Sequence, residues 1–403
     1  MVSLLFLAVL INYIDRGNLS VTAVPLMKEF SIGPAGMGAL LGAFFWTYSL
    51  MQIPAGWLVD RFGIRWTYAA GFLLWSLVSA GVGWAHSFTA IFALRLLLGV
   101  GEAISAPSTM AYIRRNFSDD QQGLPTAVYL AGMMIGPAFG AFFGGAIITQ
   151  VGWRLLFIVT GLGALVWLIP WFLCIPPGKG PKAAAPLQAQ AMRFPWRRLL
   201  ASKIFWGLTV GSFFYSYFWY FCVTWVPSYL VMAHGFSFLK MGAYTAVPLL
   251  GMAAVSATCG RLADRIIART GRPLLVRKVF VCTGFILGSS ILLLLVTKSS
   301  AAVLATLLFS LMGIGVASAN FWALTQTASP PGIIGRVIGY QNMIANFAGV
   351  AAPMLTGFLV GESKNFHLAI MVAGGALWIA VTMYVLLISE PEVRALQSEF
   401  PAA

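Results

Sequence analysis

The stretch Gly56-Trp-Leu-Val-Asp-Arg-Phe-Gly-Ile-Arg65 follows the second long apolar run of the chain, and Gly260-Arg-Leu-Ala-Asp-Arg265 follows the eighth. In both stretches a glycine begins a short polar turn that carries one aspartate and at least two arginines. Because the same turn recurs after the second apolar run of each half, the sequence predicts two halves with the same order of elements.

The composition around this repeat is that of a membrane protein. Hydrophobic residues make up 60% of the 403 residues and charged residues only 9%, whereas a soluble domain has roughly 25% charged residues. Apolar runs of about 20 residues, the length that crosses a bilayer, recur along the chain. The predicted spans are 2–26, 36–58, 66–85, 89–113, 124–149, 152–174, 204–231, 241–263, 276–297, 301–325, 333–360 and 366–388.

A basic, proline-rich segment at 175–203 separates the sixth span from the seventh and has the composition of a linker. The sequence therefore predicts two six-helix bundles at 1–174 and 204–390, with this linker between them and a tail at 391–403.

The basic residues are distributed unevenly between the two sides of the predicted spans. If the N-terminus is cytoplasmic, most of the 25 lysines and arginines fall in inner loops, as the positive-inside rule requires. We therefore expect a multi-pass protein of the bacterial inner (plasma) membrane with both termini in the cytoplasm. The net charge of +14 then faces the lipid bilayer, and we expect no nucleic-acid partner.

Four charged residues lie well inside predicted spans, namely Asp15, Arg16, Arg95 and Glu102. An ionisable group at the centre of a membrane helix costs at least about 2.5–3.5 kcal/mol, so it indicates function by default. Arg95 and Glu102 are seven residues apart, which places them on nearly the same helix face. Protonation of one acid would leave this cluster net positive, and that change could couple proton binding to anion binding. The alternative is a structural ion pair that locks two helices.

Other patterns give weaker indications. Tyr13 and Tyr48 could donate hydrogen bonds to a carboxylate, although each could equally be a packing residue. Asp60, Arg61 and Arg65, with Asp264 and Arg265 in the repeat, could form a charge network that latches one conformation. The following sites and motifs are absent from the sequence: metal-ligand spacing among the four cysteines, a phosphate-binding glycine loop and a loop long enough for a catalytic domain. We expect neither an enzyme nor a bound cofactor.

These motifs resemble those of the major facilitator superfamily: the 56–65 stretch and its repeat, Arg95-Leu-Leu-Leu-Gly-Val-Gly-Glu102, and the glycines of 132–140. Within it, Asn12-Tyr-Ile-Asp-Arg16 and the stretch 45–56 resemble the anion:cation symporter family of galactonate, hexuronate, aromatic-acid, vesicular glutamate and sialic acid carriers. The resemblance implies an all-α membrane protein with twelve transmembrane helices in two pseudo-symmetric six-helix bundles.

The same resemblance implies roles for single residues. Arg16 would bind the substrate carboxylate with help from Tyr13 and Tyr48, while Trp322 and Asn342 would line the site from the second half. Asp15 and Glu102 would carry protons, and Arg95 would tune them.

The sequence departs from the family at Ala131–Ile135, where sugar-acid carriers have a glutamine. This departure favours aromatic or short organic acids over polyhydroxylated ones. The interpretation is thus a proton-coupled symporter that imports a small organic anion and functions as a monomer. The alternatives are a drug or siderophore exporter of the same fold, working as a proton antiporter, and a membrane sensor or scaffold without transport.

Overall fold

A computed structural model describes residues 1–118, 121–175, 196–330 and 334–399 of the chain, and all secondary structure in these ranges is helical. The helices are α1 (Val2–Val21), α2 (Ala23–Glu29), α3 (Pro34–Phe62), α4 (Ile64–Val82), α5 (Phe88–Glu102), α6 (Ser105–Asn116), α7 (Gly123–Ala164), α8 (Leu168–Cys174), α9 (Trp196–Ala201), α10 (Lys203–Met232), α11 (Phe238–Thr270), α12 (Pro273–Gly288), α13 (Ser300–Ala328), α14 (Ile334–Val360), α15 (His367–Leu387) and α16 (Glu390–Glu399).

The predicted spans coincide with these helices. Eight continuous helical segments are long and apolar enough to cross a membrane, and one of them, Leu124–Cys174, covers the fifth and sixth predicted spans together. Helices α3, α4 and α10 cover the second, third and seventh spans. Most of the predicted linker, 176–195, lies outside the described residues.

Helix α7 contains two predicted spans because its backbone turns at Gly152. The φ angle of Gly152 is 83°, in a region that residues with a Cβ atom rarely adopt. A glycine at this position lets one span follow the next with almost no intervening loop. The boundary predicted between 149 and 152 therefore agrees with the position of the turn.

The chain divides into two compact units. Unit 1 consists of Met1–Met192 with Val223–Ala246, and unit 2 of Arg193–Cys222 with Val247–Ala403. The bundle boundaries predicted from the sequence, 1–174 and 204–390, stay a prediction.

Unit 1 is organised around the close packing of α1 against α7. A Cβ atom on Gly136 would lie 2.5 Å from Cβ of Tyr13, and one on Gly140 would lie 3.3 Å from Cα of Ile14. Gly132 likewise meets Val9. Small residues at these positions let the two helices approach closely, and this approach fixes the helix that carries Tyr13, Asp15 and Arg16.

A polar cluster in unit 1 joins the end of α2 and the segment after α4 to the turn at Gly152. Glu29 accepts hydrogen bonds from Trp153 Nε1 at 2.7 Å and from Arg154 Nη2 at 2.5 Å. Arg154 also donates to the carbonyl oxygens of Gly83 and Ala85 at 3.1 and 2.8 Å. Burial acts to raise the pKa of Glu29, but the hydrogen bonds from Trp153 and Arg154 outweigh it and lower the pKa below its usual range.

Unit 2 ends in a short helix where the sequence predicted only a tail. Helix α16 buries Val393 and Leu396, and Gln397 Nε2 donates to the carbonyl oxygen of Thr327 at 3.3 Å. Lys203 Nζ forms an ion pair with Glu392 at 3.0 Å. The apolar side of α16 is therefore attached to unit 2.

Candidate functional site

An ion pair inside unit 1 joins α1 to α5. Arg16 Nε donates to Glu102 Oε2 at 2.7 Å, with the glutamate side chain fully buried and the arginine side chain 13% exposed. The sequence placed Arg95 on nearly the same helix face as Glu102, but the hydrogen-bond partner of Glu102 in the structure is Arg16. Residues seven apart are separated by about 10 Å along one helix axis, so a residue on the neighbouring helix is the nearer partner.

Aromatic rings surround the guanidinium group of Arg16. Its Cζ atom lies 4.6 Å from the ring centre of Tyr13, 4.8 Å from that of Phe44 and 4.4 Å from that of Tyr48. Such cation–π contacts gain strength when they are removed from water, and three of them hold the guanidinium in a defined orientation. Since arginine has five N–H donors, the bond to Glu102 leaves others that can bind a carboxylate.

Arg95 lies near this pair but is held differently. Its side chain is buried, and its Cζ atom lies 5.3 Å from the ring centre of Phe44. Among the described residues, Nε and Nη1 of Arg95 have no hydrogen-bond acceptor. A buried donor without a partner is costly, so Arg95 is suited to bind an acceptor that enters the site.

Asp15 is directed away from Arg16, as the step of about 100° between adjacent helical residues predicts. The buried carboxylate accepts hydrogen bonds from Ser79 Oγ at 3.0 Å and from Asn18 Nδ2 at 3.4 Å. Asn18 Nδ2 also donates to Thr160 Oγ1 at 2.9 Å. Asp15 therefore belongs to a polar network that joins α1, α4 and α7, while Arg16 belongs to the ion pair with α5.

Two predicted site residues lie in unit 2. Trp322 on α13 is 37% exposed, and Asn342 on α14 is also exposed. Asn346 is already engaged, because it accepts a hydrogen bond from Tyr220 at 3.2 Å and donates to the carbonyl oxygen of Asn342 at 2.8 Å. The roles of Trp322 and Asn342 in binding a solute stay predictions.

The two aspartates among the predicted latch residues form ion pairs, although with partners that the sequence did not indicate. In unit 1, Asp60 pairs with Arg115 at 3.5 Å. In unit 2, Asp264 pairs with Arg277 at 3.2 Å, and Arg277 also donates to Asn320 Oδ1 at 3.4 Å. In both repeats the aspartate thus contacts an arginine from a different helix.

The other latch residues have different surroundings. Arg65 donates to the carbonyl oxygen of Ile175, and the Arg65 carbonyl accepts a hydrogen bond from Trp171 Nε1 at 3.0 Å. Arg61 lies over the ring of Trp57 at 5.2 Å. Arg265 is exposed and has no ion-pair partner in the described part of the chain.

Several residues of the site could not be recognised from the sequence. Phe44 stacks on both arginines, and Ser79, Asn18 and Thr160 make the network around Asp15. Serine, threonine and phenylalanine are frequent in membrane helices and have no distinctive spacing here. Asn18, three residues after Asp15, is the one signal that could have been read, because i and i+3 side chains are neighbours on a helix.

Comparison with known proteins identifies the family. The sequence pattern of the Major Facilitator Superfamily matches residues 5–353. The chain belongs to this superfamily. It is therefore a membrane transporter rather than an enzyme, with the superfamily's fold of twelve transmembrane helices in two pseudo-symmetric bundles.

Two curated superfamily relatives and one solved structure illustrate the similarity. The "Probable L-galactonate transporter" of Escherichia coli (strain K12) is 29% identical, with 96% of this chain and 88% of that protein covered. The "Probable sulfoacetate transporter" of Cupriavidus necator is 30% identical, with 92% and 89% covered. An inward-facing, unoccupied bacterial homolog of the human lysosomal transporter Spinster has a TM-score of 0.80 at 19% identity, with 100% and 98% covered. This last similarity supports the fold.

Proposed function

We propose that the protein is a proton-coupled symporter that imports a small organic anion by alternating access. The observation that carries the proposal is the buried Arg16–Glu102 pair within three aromatic rings. A planar guanidinium group can bind a carboxylate through two parallel hydrogen bonds. The names of the two relatives, an L-galactonate and a sulfoacetate transporter, support an organic anion as the solute.

Glu102 and the solute compete for the same arginine in this mechanism. While Glu102 is ionised, it neutralises Arg16 through a 2.7 Å hydrogen bond. Protonation of Glu102 removes that negative charge, and Arg16 then presents an uncompensated positive charge to the incoming anion. When the proton leaves on the other side of the membrane, Glu102 reclaims Arg16 and the anion is released. Coupling follows because the two negative groups cannot both be neutralised by Arg16.

Asp15 and Arg95 complete the proposed coupling machinery. Asp15 is the second proton-carrying acid, and its partners Ser79 and Asn18 hold the carboxylate within the bundle. Arg95 offers a second positive charge near the anion through donors that have no acceptor among the described residues. Tyr13 and Tyr48 orient Arg16, and Trp322 and Asn342 supply contacts from unit 2.

The orientation and assembly are also part of the proposal. We place both termini in the cytoplasm of a bacterial inner membrane, as the distribution of lysine and arginine supports. The ion pairs of Asp60 and Asp264 then lie at the cytoplasmic side, where they act as latches between conformations. Since all proposed site residues come from one chain, we propose that a monomer transports.

The solute is proposed to have few hydroxyl groups. The sequence has no amide at 131–135, and three aromatic rings lie against the guanidinium group of Arg16. Of the solutes in the relatives' names, sulfoacetate has no hydroxyl group and galactonate has several. We expect sulfoacetate or benzoate to compete better than galactonate for uptake by proteoliposomes. Stronger competition by galactonate would contradict this part of the proposal.

The substitution Glu102→Gln tests the coupling mechanism. Glutamine keeps the shape and neutrality of the protonated acid but cannot release a proton. The variant should still bind the anion and exchange labelled for unlabelled solute. In the same vesicles, accumulation driven by a pH gradient alone should fall at least about tenfold, to the level of downhill exchange. Glu362→Gln, an acid-to-amide change on an exposed loop, should leave both activities unchanged.

The possible outcomes separate the candidate functions. Full pH-driven accumulation by the Gln variant would show that Glu102 is not an essential coupling acid. Efflux instead of uptake, when the vesicle exterior is acidic, would favour the proton-antiporter alternative. If the parent protein neither exchanges nor accumulates any organic anion, the symporter proposal as a whole is contradicted.

A further inference from the structure

A cavity of about 670 Å³ lies within unit 2, where α12 begins and where α15 gives way to α16. Arg272 lies just before α12, Lys278 lies in its second turn, and Glu390 and Arg394 lie on α16. The cavity shares no residue with the Arg16–Glu102 site. It is formed by one unit and lies on the face that the positive-inside rule assigns to the cytoplasm.

The charge of the cavity lining favours an anion. Its lining includes three cationic side chains, those of Arg272, Lys278 and Arg394, and one carboxylate, that of Glu390. Glu390 accepts a hydrogen bond from Arg394 at 3.4 Å, at the long end of the range for such a pair. Arg272 is exposed and has no ion-pair partner among the described residues. The lining therefore has an excess of positive charge.

Contacts within unit 2 hold the rim of the cavity in place. Lys278 Nζ donates to the carbonyl oxygens of Val385 and Ile388 at 3.0 and 2.6 Å. Helix α16 is attached by the ion pair between Lys203 and Glu392 and by the burial of Val393. The cationic groups are therefore presented by a fixed junction of three helices rather than by a free tail.

An exposed leucine lines this charged cavity, and further exposed apolar residues lie near the lining residues along α12 and α15. Leu275, which lines the cavity, is 46% exposed, and Leu386 near the end of α15 is 70% exposed. Val279, one turn beyond Leu275 on α12, is also exposed. In a bilayer these residues face acyl chains, so the cavity meets lipid headgroups on one side and lipid tails on the other.

We propose that this cavity binds the phosphate group of an anionic phospholipid from the cytoplasmic leaflet. Arginine binds phosphate through two parallel hydrogen bonds, and basic pockets at the cytoplasmic ends of membrane helices suit anionic headgroups. The exposed leucines favour a lipid over free phosphate, because they contact the acyl chains while Arg272 and Arg394 contact the headgroup. Lys278 contributes charge and fixes the end of α15.

The experiment uses the whole purified protein in detergent, and native mass spectrometry counts the bound lipid. Phosphatidylglycerol, phosphatidylcholine and inorganic phosphate are added separately to delipidated protein. The parent should retain phosphatidylglycerol strongly and phosphatidylcholine weakly. Arg272→Gln with Arg394→Gln should weaken phosphatidylglycerol binding roughly 30-fold, since each surface cation contributes about a factor of five. Lys278 is left intact because its removal could unfold the end of α15.

Two further variants make the result specific. Glu390→Gln removes the negative charge from the cavity and should strengthen phosphatidylglycerol binding a few-fold. Arg114→Gln with Arg269→Gln removes two exposed arginines that do not line the cavity, and it should leave binding unchanged. Equal retention of phosphatidylcholine by the parent, equal loss in both double variants, or retention of inorganic phosphate that matches that of phosphatidylglycerol would each overturn the proposal. Because lipid binding is counted without transport, its outcome does not depend on the proposed symport.

Discussion

The interiors of the two units use different polar chemistry, although the turns at 56–65 and 260–265 mark them as repeats. Unit 1 buries Asp15, Arg95 and Glu102 completely, with Arg16 nearly so. In the described part of unit 2 the buried polar side chains are all uncharged. They include Asn320, Gln341 and several serines and threonines.

This difference has a physical consequence for the division of work. A carboxylate can gain or lose a proton and so change the charge of its surroundings, whereas an amide stays neutral at every physiological pH. Among the described residues, charged side chains are therefore buried only in unit 1, where protonation of a carboxylate can change the local charge. Among the described residues, the buried polar side chains of unit 2 can contact a solute, but they include no carboxylate that could couple this step to a proton.

The largest expected effect comes from Arg16→Lys. Lysine keeps the charge but has no planar pair of donors and stacks less well on Tyr13, Phe44 and Tyr48. Loss of one charge-assisted hydrogen bond costs about 1.5–3 kcal/mol, which corresponds to a fall in transport of roughly 10- to 100-fold. Initial rates of uptake into proteoliposomes measure it.

Two control substitutions, one at another arginine of unit 1 and one in unit 2, show whether the loss of transport is specific to Arg16. Arg154→Lys makes the same change beside the turn at Gly152, at a residue that has no part in the Arg16–Glu102 site, and should alter transport less than about twofold, because its partly exposed ion pair with Glu29 contributes little. Asn342→Ala in unit 2 removes a neutral contact worth about 1 kcal/mol and should lower transport only about fivefold. If Asn342→Ala lowers transport as much as Arg16→Lys does, anion binding depends as strongly on this neutral residue as on Arg16. The difference in buried charge between the two units then does not extend to anion binding.

A smaller effect is expected from deleting single hydroxyl groups, and three serines form a matched series. Ser79 Oγ donates to the carboxylate of Asp15 at 3.0 Å. Ser310 Oγ in unit 2 donates to the carbonyl oxygen of Gly288 at 2.6 Å. Ser76, on the same helix as Ser79, is buried with no partner among the described residues. The alanine variants should destabilise by about 1.5–3, about 1 and about 0 kcal/mol respectively.

Unfolding by a denaturing detergent in mixed micelles measures the three free energies. The order Ser79, Ser310, Ser76 is the prediction at alkaline pH, where Asp15 is ionised, because a hydrogen bond to a charge is worth more than one to a carbonyl group. An equal loss for Ser79 and Ser310 would show that Asp15 is held no more strongly than a neutral acceptor. The buried charges of unit 1 would then contribute no more to its stability than the neutral polar groups of unit 2 contribute to theirs.

The fold could be predicted from the sequence more completely than the site. Hydrophobic runs have a length set by the bilayer, so the twelve spans and even the turn at Gly152 follow from local composition. The four membrane-embedded charges stand out for the same reason. Their partners do not, because the Arg16–Glu102 pair joins residues 86 apart in sequence, and Ser79 meets Asp15 only after α1 and α4 both pack on α7. Local spacing shows that Arg95 and Glu102 share a helix face, but it contains no information about which residue of another helix reaches Glu102.

The smallest expected effect comes from the repeated turns themselves, through Asp60→Asn and Asp264→Asn. Both aspartates are exposed and pair with arginines at 3.5 and 3.2 Å, so each pair contributes at most about 1 kcal/mol to stability. If a pair forms in only one conformation, that energy changes the ratio of conformations about fivefold at most. We expect Asp60→Asn to lower the maximal rate of transport two- to fivefold while the solute affinity stays the same.

The two turns differ in the partners that the arginine keeps after its aspartate is substituted. Arg277 keeps a second partner in Asn320, whose Oδ1 lies 3.4 Å away, whereas the described residues offer Arg115 no ion-pair partner besides Asp60. Asp264→Asn should therefore have the weaker effect, below about twofold. Exchanging the charges in unit 1, with Asp60→Arg and Arg115→Asp together, should restore part of the rate lost by Asp60→Asn. Wild-type rates for Asp60→Asn, or a lower solute affinity in place of a lower rate, would show that this turn does not latch a conformation.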